Sequence, residues 1–424
     1  MSGHTIGISK TSGGIPVVTE YIPGSQSAGY MIGVATGSRD ECGRIFGLSH
    51  LLEHTVFRET ESRDSYQMAK EIEGAGGELN AFTAKEMTAF YGITIKETAD
   101  VAMDIVGDIV ANPKINEKDT ELEKKIVLQE LSMIKNEPDS YIHDLFESQL
   151  WRGHPLSQDE GGLESIVEGL THEDLREYYE EKYRIPNLAV YAVGTVDPGE
   201  TAEWAERTLD GMSGGARNRR EAPATSESGY RFVENDADHY QIAMGFQAYG
   251  ASHKDRMAVS LLAAVLGSGT SSRLFQGVRE KKALVYSVYS NVSQYSDSSC
   301  LATYMSCTGP NVAEALGTAA SEIGRLVKEG LEEGELERTK RLLKGANVRA
   351  MESTDSRLYR LGVNHMLNGT AETLESRLAR IDAVTGDDVM RAAEDILLQE
   401  RLNVVILGKK SRKIRDFDLN SLSF

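Results

Sequence analysis

Apolar residues recur along this chain with two different periods. Runs at 30–36, 90–96 and 188–193 are apolar over the length of a strand, whereas 98–112, 163–183 and 312–329 carry apolar residues three and four apart. The first pattern predicts strands and the second amphipathic helices. Residues 121–131 read as a further helix, with Leu122, Ile126, Val127 and Leu131 on an apolar stripe and acidic and basic neighbours on the polar face. Such a mixture permits an α+β arrangement of sheet and helices and leaves the strand order open.

The pattern also repeats. A polar stretch at 211–228, rich in Gly and Ser and containing Pro223, has no periodicity and predicts a linker. Landmarks on its two sides correspond. His50-Leu51-Leu52-Glu53-His54 returns 210 residues later as Ser260-Leu261-Leu262-Ala263-Ala264. Glu121-Leu122-Glu123-Lys124 returns after 214 residues as Glu335-Leu336-Glu337-Arg338, and Thr171-His172-Glu173-Asp174-Leu175 as Thr385-Gly386-Asp387-Asp388-Val389. Each half closes on a β-rich run ending in Gly, at 187–194 and 403–408. A chain of 424 residues exceeds what one core usually organises. The expected division is an N-terminal domain at 1–210, the linker at 211–228 and a homologous C-terminal domain at 229–424.

Composition changes the picture little: 40% hydrophobic and 26% charged residues suit an ordinary globular protein. A formal net charge of −19 argues against a general nucleic-acid binder and favours basic ligands in any acidic cavity. Three cysteines, Cys42, Cys300 and Cys307, do not make a disulfide framework, and so sparse a count suits a reducing cytoplasm. Cys42 reads as a free thiol. The segment Met1-Ser2-Gly3-His4-Thr5 carries no export signal, and no run reaches 18 apolar residues. A cytoplasmic protein with no membrane partner is expected.

The candidate chemistry lies in His50-Leu51-Leu52-Glu53-His54. On a helix, positions 50, 53 and 54 project from one side, so both imidazoles can reach one ion while Glu53 stands beside it. Zn²⁺ takes neutral imidazole nitrogen, and a catalytic site needs three protein ligands and one open position. Glu123 and Glu130 lie two helical turns apart on one stripe of the 121–131 helix and could supply the third ligand and a carboxylate that orients a ligand His. A solvated helix face is the plain alternative for both. In the second half Ser260, Ala263 and Ala264 replace the His-Glu-His groups, and Lys344 stands 214 residues beyond Glu130, so only one metal per chain is expected.

His50-x-x-Glu53-His54 followed after residues 55–129 by Glu130 resembles the inverzincin signature of the pitrilysin-type metallopeptidases. The similarity is to their short two-domain branch, which includes mitochondrial processing peptidase and its bacterial and archaeal relatives. It continues through Gly37-Ser38-Arg39-Asp40-Glu41, Leu79-Asn80-Ala81-Phe82-Thr83-Ala84-Lys85-Glu86, Glu137-Pro138-Asp139, Ser271-Ser272-Arg273-Leu274-Phe275, Val278-Arg279-Glu280-Lys281 and Leu284-Val285-Tyr286-Ser287-Val288. The chain departs from the family at Phe57-Arg58-Glu59-Thr60, where a Gly is usual, and at Ser157-Gln158-Asp159-Glu160, where Gly and apolar residues are usual.

The resemblance implies two similar α+β domains, each a mainly antiparallel sheet covered by helices. It implies one Zn²⁺ on His50, His54 and Glu130, with Glu123 supporting a ligand and Glu53 as general base and then acid. Asn80, Ala81, Phe82 and Thr83 correspond to an edge strand that pairs with an extended peptide. Arg279 and Tyr286 correspond to a pair from the second domain, the Tyr donating to the developing oxyanion. The implied protein is a zinc endopeptidase acting on peptides or unfolded segments, in a homodimer that encloses a chamber. Its rivals are a non-catalytic scaffold and a catalytic subunit that needs a metal-free partner chain. Two His and one carboxylate also suit Mn²⁺ or Co²⁺.

Overall fold

The computed structural model describes residues 5–422. The strands are β1 (Thr5–Lys10), β2 (Pro16–Tyr21), β3 (Ser27–Val34), β4 (Glu78–Thr83), β5 (Thr88–Ile95) and β6 (Leu188–Gly194) in one sheet, in the order β1-β2-β6-β3-β5-β4. The other sheet contains β7 (Gly229–Glu234), β8 (Tyr240–Tyr249), β9 (Ser287–Gln294), β10 (Ser298–Cys307) and β11 (Asn403–Gly408), in the order β7-β11-β8-β10-β9. Only β2–β6 and β7–β11 pair in parallel. Without β1, the two sheets have the same order and the same directions. The repeat seen in the sequence is therefore a repeat of topology, and the fold is the expected two-part α+β arrangement.

The compact units do not follow the expected continuous spans 1–210 and 229–424. One runs to Leu131 and adds Gln158–Glu221 and Asn347–Arg377; the other takes Ser132–Ser157, Ala222–Ala346 and the chain from Leu378. Burial explains the exchange. In the first sheet β6 is buried at every position, and such a strand needs cover on both faces. The first unit's helices bury Ile32, Phe90 and Val190 on one face with Leu51, Leu52, Val106 and Ile109. On the other face the helix Thr354–Asn368 sets Leu358 and Leu361 against Val18, Met31, Ala89 and Tyr191. In the second unit the helix Pro138–Leu150 plays that part, with Ile142, Leu145 and Phe146 against Ala243, Ala302, Tyr304 and Val405.

Other departures have local causes. The segment 163–183 is two helices, Glu164–Val167 and His172–Lys182, because Thr171 caps the second by accepting from the Asp174 amide while Asp174 accepts from the Thr171 amide. Thr385 and Asp388 build the same cap on Gly386–Ile396, so the repeat extends to helix starts. The linker is tied down at its middle. Arg220 Nε and Nη2 donate to the Asp40 carboxylate at 2.9 and 2.6 Å, Asn218 Nδ2 donates to Ala35 O, and Arg39 donates to Glu221 O.

A buried carboxylate fixes the exchanged helix in the first unit. Glu20 on β2 is 2% exposed and receives Arg357 Nη1 at 2.7 Å and Arg360 Nη2 at 3.0 Å. Removing one partner of such a cluster leaves uncompensated buried charge, which costs about 3–5 kcal/mol. Glu20→Ala should strip hydrogen-exchange protection from Thr354–Asn368 and lower the denaturant midpoint of this unit. Unchanged protection in that helix would show that the apolar contacts alone hold it.

Candidate metal centre

The motif lies on the helix Leu48–Val56, and its start is built with care. Gly47 precedes it at φ +94°, where a Cβ would stand 2.6 Å from Gly161 O, so only glycine fits. Glu41 then accepts from the Gly47 amide at 2.7 Å and the Ser49 amide at 2.6 Å, satisfying two donors that the first turn leaves open. Burial pushes the Glu41 carboxyl up to about 7, against the lowering effect of those Ser49 and Gly47 bonds. Ser49 Oγ and Tyr178 Oη share a hydrogen bond of 2.7 Å, while Leu51, Leu52 and Val56 pack into the core. What remains for the open side is His50, Glu53 and His54.

The second helix, Glu117–Lys135, is rotated from the stripe read in the sequence. Leu122 is exposed, and the buried side runs through Thr120, Glu123, Lys124, Val127 and Leu131. Polar partners cause the rotation. Glu123 Oε2 is 3.0 Å from His54 Nδ1, and Arg58 Nη1 is 3.5 Å from Glu123 Oε1. Lys124 donates to Glu121 and to Leu170 O. Glu123 thus meets His54 as expected, and Arg58 adds a contact that the motif did not reveal.

Two turns on, Glu130 Oε2 lies 3.5 Å from His54 Nε2 and 3.8 Å from His50 Nε2, and one ligand atom from each residue lies within 4.8 Å of the others. Ligands about 2.1 Å from a tetrahedral Zn²⁺ are about 3.4 Å apart, so the spacing suits a shared ion. The donor chemistry fits as well. Burial and the neighbouring His54 push His50 down to about 4, which keeps its imidazole neutral. Burial also pulls His54 down, but the Glu123 hydrogen bond and the nearby Glu130 and Glu53 outweigh it and the net shift is upward. Among the described residues no other group of His, Cys, Asp and Glu is arranged in this way.

Glu53 is half-buried beside the triad and accepts from Thr83 Oγ1 at 2.6 Å. Desolvation raises its pKa, with Glu130 adding to the rise and Thr83 and His54 opposing it. Thr83, read from the sequence as part of the substrate edge, also holds Glu53 through its hydroxyl. It ends β4, which is the outermost strand of its sheet, as the edge-strand reading requires. Along β4, Leu79 and Ala81 pack in the cluster that holds the His helix, and Phe82 packs in the cluster on the opposite face. Asn80 Oδ1 accepts from the Ala81 amide at 2.8 Å.

Arg279 and Tyr286 belong to the other unit and stand together there. Arg279 sits on the π-helical turn Phe275–Glu280, its guanidinium 4.8 Å from the Phe275 ring and 5.9 Å from the Tyr286 ring, and Tyr286 is 78% exposed. In that unit Ala263 and Ala264 are buried in the helix Arg256–Gly267. Lys340 donates to Glu337 and to Asp382 O, repeating the bonds of Lys124 at an offset of 216. That register sets Ala346, rather than Lys344, opposite Glu130. Lys344 pairs with Asp382 at 2.6 Å. The second repeat lacks the ligands in either register.

Comparisons with known proteins agree with this geometry. Residues 16–160 match the family model described as insulinase (peptidase family M16), and residues 169–343 match that of the peptidase M16 inactive domain. A protein of Mycobacterium leprae called an uncharacterized zinc protease is 32% identical over 97% of this chain and 94% of its own length. One of Bacillus subtilis with the same description is 30% identical over 91% and 94%. Two solved structures share the fold at 19% identity: a peptidase M16 inactive domain from Pseudomonas fluorescens (TM-score 0.89, covering 96% of this chain and 98% of that one) and a protease from Helicobacter pylori (TM-score 0.86, covering 96% and 100%). This chain therefore belongs to the M16, or pitrilysin-like, peptidase family, in its short two-domain form.

Proposed function

We propose that this protein is a zinc-dependent endopeptidase that hydrolyses peptides or unfolded segments. The observation that carries the reading is the convergence of His50, His54 and Glu130 on one point with the half-buried Glu53 beside it. When bound there, Zn²⁺ supplies Lewis acidity toward a scissile carbonyl and lowers the pKa of water. The chain's own residues do the rest. His50 and His54 present Nε2 to the ion, and Glu123 fixes the His54 ring through Nδ1. Glu53, held through Oε2 by Thr83, takes a proton from the attacking water and returns it to the leaving amine. Its raised pKa makes it a stronger proton acceptor than an exposed carboxylate. The edge of β4 offers an extended peptide backbone pairing that does not depend on side-chain identity.

The homodimer, the enclosing chamber and the cytoplasmic setting belong to the same proposal; the first two rest on the family resemblance and the third on the sparse cysteines. Among the described residues no helix is long and apolar enough to cross a membrane. Tyr286 is assigned to the oxyanion and Arg279 to a substrate carbonyl on the same ground.

Metal content is the first test. Purified protein should carry about one Zn²⁺ per chain by elemental analysis, and His54→Ala or Glu130→Gln should abolish it because three ligands are the minimum for tight capture. Glu123→Ala should weaken zinc affinity by about 10- to 100-fold. Full occupancy in Glu130→Gln would show that the third ligand lies elsewhere.

Glu53→Gln separates metal binding from proton transfer. It should keep the metal and lose at least about 100-fold in peptide turnover, since an amide cannot take the proton. Near-normal cleavage by that variant would remove Glu53 from the reaction.

Light scattering tests the assembly, with a dimer expected. Tyr286→Phe should slow turnover with metal content intact. An active monomer that digests a folded protein as fast as a short peptide would defeat the chamber.

A further inference from the structure

The face of the first sheet away from the metal carries a cavity that the chemistry above does not use. About 470 Å³ in volume, it lies where the helix Thr354–Asn368 crosses the sheet, with Met31, Met351 and Val363 on its apolar side and Tyr91, Tyr359 and Asp355 around it. Tyr359 is 52% exposed and meets the Phe82 ring of β4 at a tilt of 52° with centroids 5.1 Å apart; Phe82 in turn meets Tyr91 at 6.4 Å. An aromatic wall thus runs from the outermost strand into the cavity.

The charges there are unevenly committed. Arg360 donates to Glu20 and to Glu372 O, and Arg377 donates to Asn347 Oδ1 at 2.6 Å and to Glu372 Oε1 at 3.3 Å. Asp355 is exposed and has no hydrogen-bond or ion-pair partner among the described residues. Its field reaches the Tyr91 hydroxyl, whose pKa is raised by burial first and then by Asp355 and Glu78. An aspartate in the first turn of a helix is ordinary by itself. Here it also borders an apolar cavity walled by aromatic rings, which is the environment that recognises a cation on a long apolar stem.

Strand geometry connects this cavity to a bound peptide. Side chains alternate between faces along β4: Thr83 turns to Glu53, and Phe82 turns to Tyr359. A strand added outside β4 must alternate in the same way, sending every second side chain toward Tyr359 while the others face the metal. We infer that the Tyr359–Asp355 cavity is a substrate subsite for a lysine or arginine side chain, at positions that alternate with those facing the metal. This inference rests on the proposed binding of peptide to the β4 edge.

The test measures binding, so it does not depend on turnover. Zinc-loaded protein carrying Glu53→Gln is titrated by fluorescence anisotropy with extended alanine- and serine-rich peptides in which one Lys, Glu or Phe is moved through successive positions. Lysine should tighten binding about 10-fold over alanine at alternate positions, the sum expected of a cation–π contact and a partly exposed ion pair. Asp355→Asn should bring the lysine-to-alanine ratio close to one, Tyr359→Leu should reduce it, and Asp355→Lys should transfer the preference to glutamate peptides. Equal binding of all the peptides, tightest binding of phenylalanine peptides, or a lysine preference that persists in Asp355→Asn would overturn the subsite. Lysine-selective binding without hydrolysis by the zinc-loaded wild-type protein would keep the subsite and refute the peptidase reading. Hydrolysis without that selectivity would do the reverse.

Discussion

The metal centre depends on how two helices meet, and the contact that fixes the meeting is His54 Nδ1 on Glu123. Leu48–Val56 is short and cannot aim its own side chains; the Gly47 turn, the Glu41 clamp and the Leu51–Leu52 pair set its position against the sheet. Glu117–Lys135 is long enough to have adopted the rotation that buries Leu122, which its apolar stripe favours. It takes the other rotation, with a carboxylate 4% exposed, because Glu123 has His54 and Arg58 to answer it. A buried charge is tolerated only with such partners. Once Glu123 is seated, helical geometry brings Glu130 to the same side two turns later.

The second repeat acts as an internal control. It keeps the strand order, the threonine caps and the lysine that ties the long helix to a backbone carbonyl, and among its described residues it holds no comparable ligand cluster. The scaffold and the candidate ligand set are therefore separable. What holds a sheet and its helices together is apolar pairing of the Leu261–Leu262 kind, and that survives with alanines in place of Glu53 and His54. The cost of the ligand set falls on the first unit alone, as half-buried imidazoles and carboxylates that need one another.

Much of this was legible in the sequence. His50, Glu53 and His54 share one helix and Glu123 and Glu130 another, so spacing encodes proximity within each helix, while the meeting of the two was implied by the family resemblance. The strands at 188–193 and 403–407 were legible because both faces are buried and the apolar run is continuous. The exchange of Pro138–Leu150 and Thr354–Asn368 between units was not, since an amphipathic stripe states that a face is covered without saying by which sheet. Nor was the rotation of the long helix, because periodicity counts apolar residues and gives no weight to a glutamate with two partners waiting. The bond from Thr83 to Glu53 was hidden for a related reason: alternation along a strand fixes the face of Thr83, and only the neighbouring helix shows that Glu53 lies there.

The hydrogen bond from the Ala81 amide to Asn80 Oδ1 has a bearing on how this protein coexists with others. An outermost strand with free backbone donors invites indiscriminate pairing, including with further copies of the same chain. Here one such donor is already answered by the preceding side chain, through a bond that a single rotation of the asparagine can release. A chance encounter must break it for a return no larger than one ordinary hydrogen bond, about 1 kcal/mol. A polypeptide that also fills side-chain sites recovers the loss. The asparagine thus works as a threshold that separates fleeting contact from committed engagement, and keeps a sticky edge from becoming a seed for aggregation.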